Sequence, residues 1–230
     1  MDILYHGHSC IQLSSGGRSI LIDPFISGNP HAVTKIDSID ADFILLTHGH
    51  TDHTLDAVPI AKRTGATIVA IHELATYMGW QGAKAMGMNM GGKVTLGGFV
   101  EIEMIQAFHS SSIILEQEQK IIYAGMPAGY IVRWDGLTLL HSGDTSLFSD
   151  MKMIGERNSI DVAFLPIGNL FTMGPEDAET AAQWLQAKRV LPLHYNTFPP
   201  IAQDGEQFAE RLAQHGIQGS SLKPGQTLTL

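Results

Sequence analysis

A chain of 230 residues with 44% hydrophobic content is long enough to bury a sizeable core, and a single domain spanning 1–230 is expected. Its 23 acidic residues outnumber 14 basic ones, and the net charge of -9 comes without any run of lysines or arginines, which argues against a nucleic-acid footprint or a basic membrane surface. The first ten residues lack a basic stretch leading into a continuous apolar run, no segment approaches a bilayer span, and the one cysteine, Cys10, has no internal partner, so a cytoplasmic protein is expected.

Short apolar runs rich in Ile, Val and Leu, bounded by turn residues, predict strands at Ile3 to Tyr5, Cys10 to Leu13, Ser19 to Ile22, Phe43 to Leu46 and Thr67 to Ile71, with a hairpin turn in "SSGGR". Further strands are expected at Lys93 to Leu96, Phe99 to Ala107, Ile121 to Ala124, Tyr130 to Trp134, Leu137 to His141, Val162 to Pro166 and Val190 to Leu193. Helical periodicity is confined to Asp56 to Thr64, His72 to Met78, Pro175 to Ala187 and Gly205 to His215. "AMGMNMGG", Ala85 to Gly92, reads as an irregular loop. Strands with interspersed helices in both halves predict two similar α/β halves whose sheets stack face to face with the helices outside.

The segment "LLTHGHTDHT" concentrates His48, His50, Asp52 and His53 between a strand and the helix that Pro59 delays to about Asp56. The cluster therefore falls in a loop at a strand's C-terminal end, the edge where α/β sheets bind ligands. His48 and His50 can point the same way from extended backbone, while Asp52 and His53 follow where the chain turns and reach a neighbouring point. Four such ligands can serve two adjacent metals, and imidazole nitrogen with carboxylate oxygen suits zinc, with manganese or iron as alternatives. His109 in "AFHSSS", Asp144 in "LLHSGDT" and His194 in "VLPLHYN" each follow a predicted strand and are candidates for the remaining ligands.

"THGHTDH", "FHS", "SGDT" and "PLHYNTFP" together resemble the metallo-β-lactamase superfamily over nearly the whole chain. "LIDPF", "MNMGG", "HSGDT" and "FTMGPEDA" further resemble a family of short metal-dependent hydrolases related to the ascorbate-phosphate lactonases. The resemblance implies a four-layer αββα sandwich with two divalent ions at the edge where both sheets meet. It assigns His48, His50 and His109 to the first ion, Asp52, His53 and His194 to the second, and Asp144 to the bridge between them. A zinc-like ion lowers the pKa of bound water from near 16 to about 7, which makes a metal-bound hydroxide the expected nucleophile. Asp52 is in addition the candidate to orient that nucleophile or pass a proton to the leaving group.

Metal-bound histidines need a partner on the other ring nitrogen, and Asp23, after Ile22, has the right position for one. His8, in the turn "YHGHSC" beside His6, is a candidate to face substrate, and His141 could brace Asp144 three residues on. His31, His72 and His215 carry no pattern, and the helix start at Pro175 and Glu176 offers amides to an anionic group or simply caps itself. The function expected is hydrolysis of a small ester, lactone or phosphorylated metabolite, with a homo-oligomer compatible with the lactonase relationship. Phosphodiester or RNA cleavage asks for a basic surface or gripping arm that is absent here. A di-iron oxidoreductase would carry an acidic residue at His50. A non-catalytic metal-binding regulator would not need the complete ligand set.

Overall fold

The computed structural model describes all residues, Met1–Leu230, and places no helix that is long and apolar enough to cross a membrane. In chain order the elements are β1 Asp2–Gly7, β2 Cys10–Ser15, β3 Arg18–Ile22, β4 Phe43–Leu45, α1 Thr51–Thr54, α2 Ala57–Thr64, β5 Thr67–Ile71, α3 His72–Trp80 and β6 Ala85–Met88. There follow β7 Lys93–Leu96, β8 Val100–Gln106, β9 Ser112–Leu115, β10 Lys120–Tyr123, β11 Ala128–Trp134, β12 Leu137–His141 and α4 Asp150–Arg157. The chain ends with β13 Val162–Pro166, α5 Pro175–Trp184, β14 Arg189–Leu193, α6 Gly205–Ala213, β15 Gln218–Gly219 and β16 Thr227–Thr229. Two compact units result: Met1–Gly92 with Ser110–Ala128 and Lys223–Leu230, and Lys93–His109 with Gly129–Leu222.

The first unit holds a seven-stranded sheet ordered β16-β1-β2-β3-β4-β5-β6 and the β9–β10 hairpin. Strands β3 to β6 run parallel, so β3, β4 and β5 end at the same edge. Because β2 pairs antiparallel to β3 with Ile11 opposite Ile22, the β1–β2 turn at His8 and Ser9 lies at that edge too. Ile20, Leu21, Ile22, Ile44, Leu45, Ile68 and Val69 are fully buried, the continuous apolar pattern of strands covered on both faces. Gly65, at φ 78°, closes α2 in the left-handed conformation that glycine adopts without a Cβ clash.

The second unit holds the sheet β15-β14-β13-β12-β11-β8-β7, in which β12 to β15 are parallel. β12, β13 and β14 therefore also end side by side, and the chain leaves them at Ser142, Ile167 and His194. Ala178, Ala181 and Ala182 of α5 pack with Met151 of α4 and Phe208 and Leu212 of α6 in one core cluster with Ile131, Leu140, Ala163 and Leu165. Arg211 ties α6 to α5, its Nε 2.9 Å from Glu179 Oε2 and its Nη1 3.1 Å from Glu176 Oε1.

Several elements depart from expectation. "AMGM" at Ala85–Met88 is a parallel edge strand, with Ile68 to Ile71 of β5 opposite Ala85 to Met88. Methionine and glycine give no strand signal, and the pairing is imposed by β5. Gly87 is needed there, since a Cβ would sit 2.8 Å from His72 Nδ1. Residues Thr51–Thr54 form a helical turn instead of loop, so Asp52 and His53 ride on a helix whose first residue follows His50 as N-cap. α4 and β9 were not expected at all: α4 buries only Met151 and Gly155, four apart, too little for a periodic signal. α5 stops at Trp184, and Gln186, at φ 51°, turns the chain out of the helix.

Candidate metal centre

Within the first unit, the strand ends bring together Asp23, Thr47, His48, His50, Asp52, His53 and His8. The Asp23 amide donates to the Leu45 carbonyl at 3.0 Å, which fixes the carboxylate beside the segment leaving β4. Asp23 Oδ1 accepts from the Thr47 amide at 2.8 Å, and Oδ2 accepts from the Thr47 hydroxyl at 2.6 Å. His53 Nδ1 lies 2.8 Å from the same Oδ2, so the ring proton sits on Nδ1 and the lone pair on Nε2. With the Thr47 hydroxyl donating to Asp23, its oxygen accepts from His48 Nδ1 at 3.0 Å, which puts the lone pair of His48 on Nε2 as well. One buried carboxylate thereby sets the tautomer of two histidines.

His48 Nε2 and His50 Nδ1 face each other at 3.0 Å. Two nitrogens that share a tetrahedral ion at about 2.1 Å are separated by roughly 3.4 Å, so this spacing fits a common ion. Ser110 Oγ lies 3.3 Å from His50 Nε2, and Ser111 Oγ accepts from the Gly49 amide at 3.2 Å. Gly49 admits nothing larger: a Cβ would approach Ala124 Cβ to 2.5 Å and the Ser112 carbonyl oxygen to 3.1 Å. Ligand atoms of His8, Asp52 and His53 lie within 4.8 Å of one another. His8 is buried, and its Nε2 is 3.0 Å from Asp52 Oδ2, so it stands behind Asp52 rather than open to solvent. The Asp52 side chain keeps 30% exposure while those of His8 and His53 have none.

Within the second unit, Asp144 Oδ2 lies 3.0 Å from His194 Nε2 and 3.7 Å from His109 Nε2. His109 is tied to the Asp144 segment through its neighbour, because the Phe108 amide donates to Thr145 Oγ1 at 3.0 Å and its carbonyl accepts from the Ser146 amide at 3.1 Å. His141 Nδ1 accepts from the Gly143 amide at 3.1 Å and so shapes the turn that delivers Asp144. Gly168 packs directly on His194, where a Cβ would come within 2.3 Å of the His194 carbonyl oxygen.

His8, Asp23 and His194 adopt φ of 57°, 48° and 52°, a left-handed conformation that costs non-glycine residues free energy and that clusters at functional sites. His6, in contrast, is buried away from these groups, between Thr34 Oγ1 at 3.2 Å and Gln12 Oε1 at 3.0 Å. Burial pushes its pKa below the ordinary histidine value, partly opposed by the Gln12 bond. His31 and His72 are exposed, and His215 pairs with Glu179 at 2.6 Å. Thr47, Ser110 and Ser111 escaped the sequence reading. Thr47 precedes the histidine cluster directly, but nothing in a lone threonine announces that its hydroxyl will relay between Asp23 and His48. Buried imidazole nitrogens and carboxylate oxygens are the donor set of zinc, manganese and iron, so the residues present fit divalent ions of that kind.

A family model described as a β-lactamase superfamily domain matches residues 2–194. The chain belongs to the metallo-β-lactamase superfamily, and within it to the short metal-dependent hydrolases. A UPF0173 metal-dependent hydrolase of Geobacillus thermodenitrificans is 56% identical over 230 residues, with both chains fully covered, and one of Shouchella clausii is 54% identical over 231 residues, again with full coverage of both. Among solved structures, a metallo hydrolase from the archaeon Ignicoccus hospitalis aligns with a TM-score of 0.90 at 36% identity, covering 100% of this chain and 97% of the other. The fold is accordingly of the metallo-β-lactamase type, and the protein is a metal-dependent hydrolase.

Proposed function

We propose that the protein is a binuclear hydrolase of small esters, lactones or phosphorylated metabolites, working with zinc in the cytoplasm. In this reading His48, His50 and His109 hold one ion, Asp52, His53 and His194 hold the other, and Asp144 serves both. The observation that carries it is the Asp23–Thr47 relay, which orients His48 and His53 as a carboxylate orients metal-bound histidines elsewhere. Support also comes from the pairing of Asp144 with His194 and His109 in the second unit. Bound divalent ions would supply Lewis acidity for activating water and polarising the scissile bond.

The chain's own residues do the rest. Asp52 is the half-open member of the set, held by His8, and its carboxylate orients the attacking water and carries a proton to the leaving oxygen. For an ester, the water oxygen forms a bond to the acyl carbon, the bond from that carbon to the alcohol oxygen breaks, and the alcohol leaves with the proton. His141 and Gly168 hold the Asp144 and His194 segments in place. The test is to strip the protein with a chelator and reload it with zinc or manganese. A panel of esters, lactones and phosphomonoesters is then assayed. Turnover restored by one ion supports the reading, and no turnover of any member under either ion overturns it.

A further inference from the structure

The loops at the C-terminal edge of the second sheet carry three of the seven proposed ligands, and the same loops present large apolar side chains to solvent. Phe108 is 56% exposed next to His109, Leu170 and Phe171 are 61% and 58% exposed after β13, and Phe198 is 37% exposed four residues after His194. Single exposed apolar residues are ordinary, but these sit on adjacent loops at one sheet edge. β12, β13 and β14 are neighbouring parallel strands, and the Met173 amide donates to the Thr145 carbonyl at 3.0 Å, which ties the loop after β13 to the Asp144 loop.

The presentation is fixed. The Asn169 amide donates to the Met173 carbonyl at 3.0 Å, closing a tight loop with Leu170 and Phe171 at its tip, and Gly168 at its root abuts His194. Phe108 packs against Phe148 with the rings tilted 42° and their centres 5.1 Å apart. A rigid apolar surface binds without first paying to order itself.

The same loops, residues 107–111, 142–149, 167–174 and 194–204, offer no lysine or arginine to an anion. The amino end of α5 already carries Glu176 and Asp177, with the Glu176 carboxylate held below its usual range first by a backbone bond within its own residue and then by Arg211. Phosphate recognition ordinarily relies on such cations or on an open helix amino end.

We infer that the site selects neutral substrates with an apolar acyl or aryl group beside the scissile bond, which packs on Phe108, Leu170, Phe171 and Phe198. The inference rests on the hydrolase reading above and narrows its substrate class, setting phosphorylated metabolites aside.

The test compares p-nitrophenyl esters from acetate to decanoate with p-nitrophenyl phosphate and bis(p-nitrophenyl) phosphate on zinc-loaded protein. kcat/KM is expected to rise about two- to fourfold per added methylene over the first several carbons, given the transfer free energy of a partly buried CH2. Leu170→Ala with Phe171→Ala should flatten that series, raising KM by a factor that grows with acyl chain length. Phe198→Ala, on a separate loop, should reduce the slope independently. A second readout needs no metal: calorimetric titration of the metal-free protein with methyl ketones of increasing chain length should show binding that tightens with length and is lost in the double variant. A flat ester series in the wild type, phosphate esters turned over in preference, or a slope and ketone affinity unchanged in the variants overturns the inference. Any of these alongside ester turnover leaves the hydrolase reading standing, whereas no turnover of any substrate, with intact ketone binding, overturns the hydrolase reading and leaves the apolar surface standing.

Discussion

Replacing Asp23 by Asn tests the relay at its most sensitive point. The carboxylate is fully buried and accepts three hydrogen bonds: the Thr47 amide at 2.8 Å, the Thr47 hydroxyl at 2.6 Å and His53 Nδ1 at 2.8 Å. An asparagine of the same shape retains one acceptor oxygen, which the Thr47 amide will claim. The new amide NH2 then faces the Thr47 hydroxyl and His53 Nδ1. The hydroxyl can rotate to accept, and it ceases to be the acceptor that keeps the His48 proton on Nδ1. His53 can accept only by moving its proton to Nε2, the atom assigned to the ion. Loss of such a supporting carboxylate typically weakens metal binding about 10- to 100-fold. Loss of one bond to a buried charge costs the metal-free fold a further 1.5–3 kcal/mol or about that. Competition titration with a chromophoric chelator measures the first and a urea melt the second. A D23N protein that binds zinc within about threefold of wild type would show that the proton positions inferred from Asp23 do not govern the site.

Other outcomes follow from the same geometry. Gly168→Ala should destabilise the fold by about 1–3 kcal/mol and depress activity, since the methyl group collides with the His194 backbone; a urea midpoint equal to wild type would contradict this. His6 is held neutral by burial against the weaker Gln12 bond, so its folded pKa is depressed. Its stabilising contribution is whole above about pH 6.5 and declines as pH falls below that value, because the unfolded chain takes up a proton the fold resists, at a slope no steeper than about 1.4 kcal/mol per pH unit. His6→Gln should lessen the fall in urea stability between pH 7 and pH 5, and an unchanged profile would count against the assignment. Burial, opposed by a backbone bond from Phe25 and reinforced by Asp23 and Asp56, pushes the Cys10 thiol well above its usual range. Iodoacetamide at pH 8 should therefore modify Cys10 only after unfolding. Arg211→Ala should cost only about 0.2–1 kcal/mol, less in high salt, since its guanidinium is partly exposed where it bonds Glu179.

What was legible in the sequence was what periodicity and spacing encode. β5 and β13 fall where the apolar runs end, because strands buried on both faces write themselves as continuous aliphatic stretches. The histidine cluster was visible because imidazoles crowd at short spacing, and Asp23 because it follows a strand. The register that sets His8 beside Asp52 was not visible, since it depends on Ile11 pairing with Ile22, a long-range choice no local pattern fixes. The helical turn at Thr51–Thr54 was hidden because four residues carry too little periodicity, and β6 because an edge strand of Ala, Met and Gly takes its conformation from its neighbour. The roles of Gly49 and Gly168 came only from the close approach of Ala124 and His194, which lie far along the chain from them.

The most direct test of the binuclear centre is elemental analysis of purified wild type beside Asp144→Ala and His48→Ala. Close to two divalent ions per wild-type chain are predicted, with at least one lost in each variant and hydrolysis lost with it. At most one ion in the wild type, or an Asp144→Ala protein that keeps both ions and full turnover, would contradict the account.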